Sequence, residues 1–189
     1  MTEPLRPSVA ITEPDRPRAW FGCLSCYNNA RLVGHWFDAT DAAEVDLAAI
    51  HKGSGVAWRR AGCEEILALD LDGRWPISAE IDTVTAARWG ELYEEVGAHV
   101  WEPFCVWARG ESMTDPEDID VVAFTDRYRG EWESFEDYAL DYVESCGMMR
   151  EWPEEAKSYF DLARYARDLS AGFTVERCST GGVYVFSDT

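Results

Sequence analysis

Aromatic and branched residues crowd two early runs, Ala19 to Tyr27 and Arg31 to Ala39, separated by Asn28-Asn29-Ala30. Asparagine tolerates the positive φ that tight turns require, so the pair predicts a β-hairpin. Asp41-Ala-Ala-Glu44 resembles a capping box opening a short helix, with Val45, Ala48 and Ala49 as its apolar face and a stop at Gly53 and Gly55. Glu65 to Leu71 then predicts a strand that joins the hairpin and ends at Gly73, completing a ββαβ unit. Thr83 to Val96 spaces Val84, Ala87, Leu92 and Val96 for one buried helical face.

From Glu111 the character changes. Asp115-Pro116 reads as a helix start, with proline at the first helical position where its missing N–H is harmless. Ser134, with Asp137 three residues on, starts another helix that Gly147 terminates. Its residues Phe135, Tyr138, Ala139, Tyr142 and Val143 fall at helical spacing and form a buried stripe. A further helical pattern lies within Trp152 to Leu169, and Phe173 to Cys178, Thr180-Gly181-Gly182 and Val183 to Phe186 form a closing hairpin. The expected class is α+β: an N-terminal three-stranded antiparallel sheet with a helix, a helical middle, and C-terminal helices with a β-hairpin. The expected divisions are a disordered tail at 1–18, a ββαβ unit at 19–74, a helical unit at 75–110 and an acidic α+β unit at 111–189.

Charge alters this picture. Thirty-six Asp and Glu face seventeen Lys and Arg, a net charge of −19 and a pI near 4.4. A small domain ordinarily carries a net charge of magnitude roughly 2 to 8. The excess costs stability through self-repulsion and repels nucleic acid and anionic membranes, which points to a basic partner. Adaptation to high salt, or solubility alone, is the plainer alternative. Nine Trp and a 47% hydrophobic composition supply a core all the same. No run approaches the roughly 20 apolar residues of a membrane span. Met1 to Arg18 is polar and holds four prolines, unlike a signal peptide. Six cysteines without an export signal suggest reduced thiols in the cytoplasm.

The helix after Ser134 concentrates the charge. Asp137, Asp141 and Glu144 share a side, with Glu133 just upstream, and no basic residue occurs between Glu131 and Met149. Residues four apart on a helix are about 6 Å apart along its axis. DNA places a phosphate every 3.4 Å or so of axis on each strand, so the ladder is of a scale to imitate phosphates. An ordinary solvated face is the alternative, although such faces alternate in sign.

Other motifs do not build a catalytic site. Ile66-Leu-Ala-Leu-Asp70-Leu-Asp72-Gly73 resembles the nucleophile motif of haloacid-dehalogenase phosphatases, where two Asp work beside Mg²⁺. Arg74 stands where that family expects Thr, and the chain lacks the alternating strands of a doubly wound fold. The motif also fails as a calcium loop, because its Gly comes two positions early. Cys23-Leu-Ser-Cys26 is a C-x-x-C placed in an expected strand, where the two side chains point to opposite faces. No second C-x-x-C follows; Cys63, Cys105, Cys146 and Cys178 are scattered and read as small buried hydrophobes. His35, His51 and His99 lack a nucleophile at motif spacing. The expectation is therefore no catalysis, no metal and no cofactor.

Tyr27-Asn-Asn-Ala-Arg-Leu-Val-Gly-His-Trp-Phe-Asp-Ala-Thr40 resembles the N-terminal signature of the ArdA antirestriction family. Tyr128-Arg-Gly-Glu-Trp132 followed by Phe135-Glu-Asp-Tyr-Ala139 is similar to its central C-terminal motif. Trp152-Pro153, Tyr159-Phe-Asp161 and Tyr165-Ala-Arg-Asp-Leu169 resemble its antirestriction segment, and Gly181-Gly-Val-Tyr-Val-Phe186 its final strand. The order is preserved from Ala19 to the C-terminus. Asp70-Leu-Asp-Gly73 departs from the family's D-Y-E-G. Residues 74–109 match only in helical character and acidity, and Trp101, Pro103 and Trp107 have no counterpart there.

The resemblance implies an elongated, curved homodimer that mimics bent B-form DNA and fills the DNA-binding groove of type I restriction-modification enzymes, at their methyltransferase core. The carboxylates expected to meet that partner are Asp115, Glu117, Asp118, Asp120, Asp126, Glu131, Glu133, Glu136, Asp137, Asp141, Glu144, Glu151, Glu154 and Glu155. Trp152, Tyr159, Phe160 and Tyr165 are the expected dimer contacts, an aromatic excess for a thin, charged segment to bury. Nucleic acid and membrane are not expected partners. Two readings from other classes stand beside this one: an acidic module for another basic partner, and a Mg²⁺-dependent phosphatase acting through Asp70 and Asp72.

Overall fold

Ala19, Phe21 and Cys23 alternate inward, fully buried, along β1 (Arg18–Cys23) of the computed structural model, which describes residues 15–188. β1 is the middle strand of a three-stranded antiparallel sheet ordered β2-β1-β3, with β2 (Gly34–Asp38) and β3 (Ile66–Asp72) on either side. Trp20 lies opposite Trp36 and Gly22 opposite Gly34. The expected ββαβ order is present, but its connection is not a tight hairpin turn. A short helix, α1 (Leu24–Asn28), occupies the end of the first expected strand, and β2 begins only at Gly34. Local bonds stop the strand. The Cys26 amide donates to the Cys23 sulfur, and the Asn29 side chain donates to the Ser25 carbonyl. The left-handed residue of the connection is Ala30, at φ 56°, rather than either asparagine.

The capping box expected at Asp41 also resolves differently. Residues 39–44 wind as 3-10 turns, with Ala39 and Ala42 fully buried. The capping residue is Asp46, whose carboxylate accepts the Ala49 amide at 2.7 Å and opens α2 (Leu47–Ile50). α3 (Thr83–Val96) has the expected bounds and is capped by Asp82, which accepts the Thr85 amide at 2.7 Å. Ala87 and Leu92 are buried as expected, but the buried face is turned toward Ala86, Trp89, Gly90 and Tyr93, and Val84 is 73% exposed. Gly90 explains the rotation. A Cβ there would lie 2.5 Å from Ala39 and Thr40 backbone atoms, so the helix rests directly on the 39–44 turns.

α4 (Trp101–Gly110) adds the aromatic residues that had no counterpart in the family resemblance. Trp101 stacks on Phe104 at 5.3 Å and meets the edge of Tyr93 at the same distance. The Trp101 indole donates to the Arg74 carbonyl at 2.8 Å, and Arg109 donates to the Trp75 carbonyl. The sheet and these helices form one compact unit, which among the described residues runs from 15 to 119 and takes in both the 19–74 and the 75–110 stretches. Asp15 to Arg18, which the sequence reading gave to the tail, are ordered: Arg74 pairs with Asp15 at 3.0 Å and Pro17 is fully buried. The rest of the expected tail, 1–14, lies outside the described residues.

Residues 120–188 form the second compact unit. Its sheet runs β4-β6-β5, with β6 (Val183–Ser187) central, β5 (Phe173–Arg177) as the expected hairpin partner and β4 (Tyr128–Trp132) on the other edge. β4 is not evident from sequence pattern, since Gly130 interrupts a five-residue run. Capped by Asp120, α5 (Val121–Arg127) leads into it, and Phe124, Tyr128 and Phe186 pack together. Ser134 caps α6 (Phe135–Ser145), and Gly147 follows at φ 63°, both as expected. The last helical pattern is two helices, α7 (Glu154–Lys157) and α8 (Leu162–Leu169), of which α8 packs on α6. The class is thus mixed α+β. Among the described residues no helix is long and apolar enough to cross a membrane.

Candidate partner-binding surface

α6 divides its residues by face. Tyr138, Ala139 and Val143 are buried, with Phe135 and Tyr138 against Phe173. Glu136, Asp137, Asp141 and Glu144 stand exposed on the opposite side. Ser134 accepts the Asp137 amide at 3.2 Å, and the carboxylates of the first turn favour the positive end of the helix. Like charges four apart cost a few tenths of a kcal/mol per pair, a small loss against the burial of the aromatic face.

All fourteen carboxylates singled out from the sequence are solvent-exposed. Asp115, Glu117 and Asp118 belong to the first unit and the other eleven to the second. Several also serve the fold. Asp115 and Asp120 cap their turns, Glu117 reaches Arg88 at 3.6 Å and Glu154 pairs with Lys157 at 2.6 Å. Glu131 accepts the Thr180 hydroxyl at 2.8 Å. On α6 the exposed carboxylates follow one another along a single helix without a cation between them in sequence.

The aromatic residues of the 152–169 segment come together in part. Phe160 packs between Trp152 and Tyr165, with centroids at 6.1 and 5.5 Å. Tyr159 stands apart, 81% exposed, and Trp152 is 40% exposed.

Asp70 and Asp72 are absorbed into structure. Asp70 accepts the Leu71 amide, and Asp72 pairs with Arg18 at 3.5 Å. They sit on an edge strand of an antiparallel sheet, not on the parallel sheet the phosphatase reading requires. Gly73 is there for space, since at φ 77° a Cβ would collide with the Arg16 carbonyl.

The cysteine geometry corrects the sequence reading. Cys23 ends β1 and Cys26 lies in α1, so their side chains do not diverge as they would along a strand. Cys23, Cys26, His51 and Cys63 bring their ligand atoms within 4.8 Å of one another, all buried. Burial raises the Cys26 and Cys63 thiols above the usual range, as do their contacts with Cys23, which is not the setting of a nucleophile. Only C-x-x-C was visible in sequence; His51 arrives from the end of α2 and Cys63 from the loop before β3.

The described residues thus form a mixed α+β fold that presents exposed carboxylates from capped helices and turns. The family model of the antirestriction protein ArdA matches residues 19–184, and the chain belongs to that antirestriction family. No curated protein matches it.

Proposed function

We propose that this chain blocks restriction by offering its carboxylates to the DNA-binding groove of a type I restriction-modification enzyme, in place of DNA phosphates. The observation that carries the reading is the α6 face, where Glu136, Asp137, Asp141 and Glu144 are exposed with no basic residue between Glu131 and Met149. Family membership supplies the link to restriction. The net charge of −19 favours a basic groove and disfavours DNA itself. Inhibition is then occupancy rather than catalysis, exerted in the cytoplasm, and needs no cofactor. The protein acts as a homodimer whose contacts include Trp152, Tyr159, Phe160 and Tyr165, supported by the exposed apolar surface there.

The test is a titration of a type I methyltransferase core with the purified chain, with and without duplex carrying its recognition site. Mutual exclusion and an affinity that falls steadily with salt are expected. A ternary complex with DNA, or indifference to salt, would refute the reading.

A further inference from the structure

We propose that Cys23, Cys26, His51 and Cys63 hold one zinc ion as a closed structural site that fastens the loop between α2 and β3 to the sheet. Zinc in such a site is tetrahedral, with bonds of about 2.3 Å to sulfur and about 2.1 Å to imidazole nitrogen, which sets edges of about 3.8 Å between sulfurs and about 3.6 Å between sulfur and nitrogen. Cys26 Sγ lies 3.8 Å from Cys63 Sγ and 3.6 Å from His51 Nε2. Those separations match the metal-centred edges, whereas a disulfide needs its sulfurs at roughly 2.05 Å.

The surroundings are arranged for ligation. His51 Nδ1 lies 2.8 Å from the Leu47 carbonyl; donating there fixes the proton on Nδ1 and leaves Nε2 free for the metal. The Cys26 amide donates to Cys23 Sγ, the kind of bond that supports a thiolate ligand. Trp58 lies against the His51 ring at 6.0 Å and is itself covered by Arg59. Four protein ligands leave no open position, so the ion is structural rather than catalytic. Binding sends the thiol protons to solvent and leaves three thiolates on one divalent cation.

The loop explains the need. From Lys52 to Glu65 the one buried residue is Cys63, and Gly62, at φ 68°, turns the chain just before it. A segment with so little apolar burial is otherwise weakly held to the core. A zinc would close it onto the β1–α1 corner and the end of α2.

The experiment uses the full chain without a histidine tag, purified from zinc-supplemented medium free of chelator. Elemental analysis should find about one zinc per chain in the wild type and in Cys146→Ser, whose thiol is exposed and outside the cluster. Cys63→Ser and His51→Ala should lose it. Because those variants also weaken folding, the wild type is read separately. Cobalt added to metal-free protein should give the intense visible bands of a tetrahedral, thiolate-bound ion, and a strong chelator should lower Tm by roughly 10 °C. Wild-type protein with no zinc and only the weak bands of octahedral cobalt overturns the proposal. So does zinc retained by Cys63→Ser, or a Cys26–Cys63 disulfide in the isolated chain.

Discussion

Asp82 and Asp41, two exposed carboxylates of the first unit, respond to acid in opposite senses. The Thr85 amide holds Asp82 below the usual carboxylate range. A depressed folded-state value means stability that is present above the unfolded value, near 4, and is lost as pH falls through the folded one. Asp82→Ala should therefore cost about 1 kcal/mol at pH 7 and progressively less in stronger acid. Asp41 is held above the usual range, by partial burial first and then by the charges of Asp38 and Glu44. Its ionisation costs stability at neutral pH, and that cost disappears as pH falls toward the unfolded value. Asp41→Asn should thus stabilise by a few tenths of a kcal/mol at pH 7, a figure reduced by solvent screening, and by almost nothing below pH ~4. Chemical denaturation of both variants across that range checks the pair. A stabilising Asp82→Ala or a destabilising Asp41→Asn at pH 7 would contradict it.

Among the elements, α3 and α6 carry separate consequences. Gly90 lets α3 touch the backbone of residues 39–44, so Gly90→Ala should force the helix away. Overpacking typically costs 1–3 kcal/mol, against the roughly 1 kcal/mol that alanine gains in a helix. A net fall in Tm of roughly 5 °C is expected. Gly110→Ala, at the end of α4 with open space around it, should show none; equal melting of the two variants would remove Gly90 as the contact point. On α6, neutralising Asp137, Asp141 or Glu144 singly should weaken binding to the methyltransferase core by at most about 5-fold, since exposed pairs contribute roughly 0.2 to 1 kcal/mol each. The triple Asn/Gln variant should lose up to about 3 kcal/mol while remaining folded. One single variant that abolishes binding would indicate a discrete hot spot, and a triple variant that binds normally would reduce α6 to a solvated face.

For the whole molecule, assembly is the open consequence. Tyr159, at 81% exposure, immediately precedes Phe160, which packs with Trp152 and Tyr165. A two-fold interface would place each substitution in it twice, so Tyr159→Asp should shift a micromolar dimer to monomer in sedimentation. A wild-type monomer at that concentration, or an unchanged variant, would rule out this segment as the contact. The acid excess is shared by both units, so inhibition should depend on many weak carboxylate contacts and decline smoothly with salt.

Much of this was legible from the chain alone because it depends on near neighbours. Ser134 as a cap, the stripe from Phe135 to Val143, the bounds of α3 and the closing hairpin follow from periodicity and capping chemistry acting within a few residues. The acid excess of the C-terminal segment needs no fold to be read. Tertiary structure decided what depends on distant partners. Val84 is exposed because Gly90 sets how α3 lies on residues 39–44, and the spacing of apolar residues within α3 does not contain that contact. β4 is a strand because β6 pairs with it, despite Gly130 in its centre. Cys23 and Cys26 looked divergent while both were assigned to one strand; a side-chain-to-amide bond ends the strand at Cys23, and folding carries His51 and Cys63 to the same point. Four ligands spread over forty residues become a cluster only when loop closure and burial bring them together, and no local pattern encodes that.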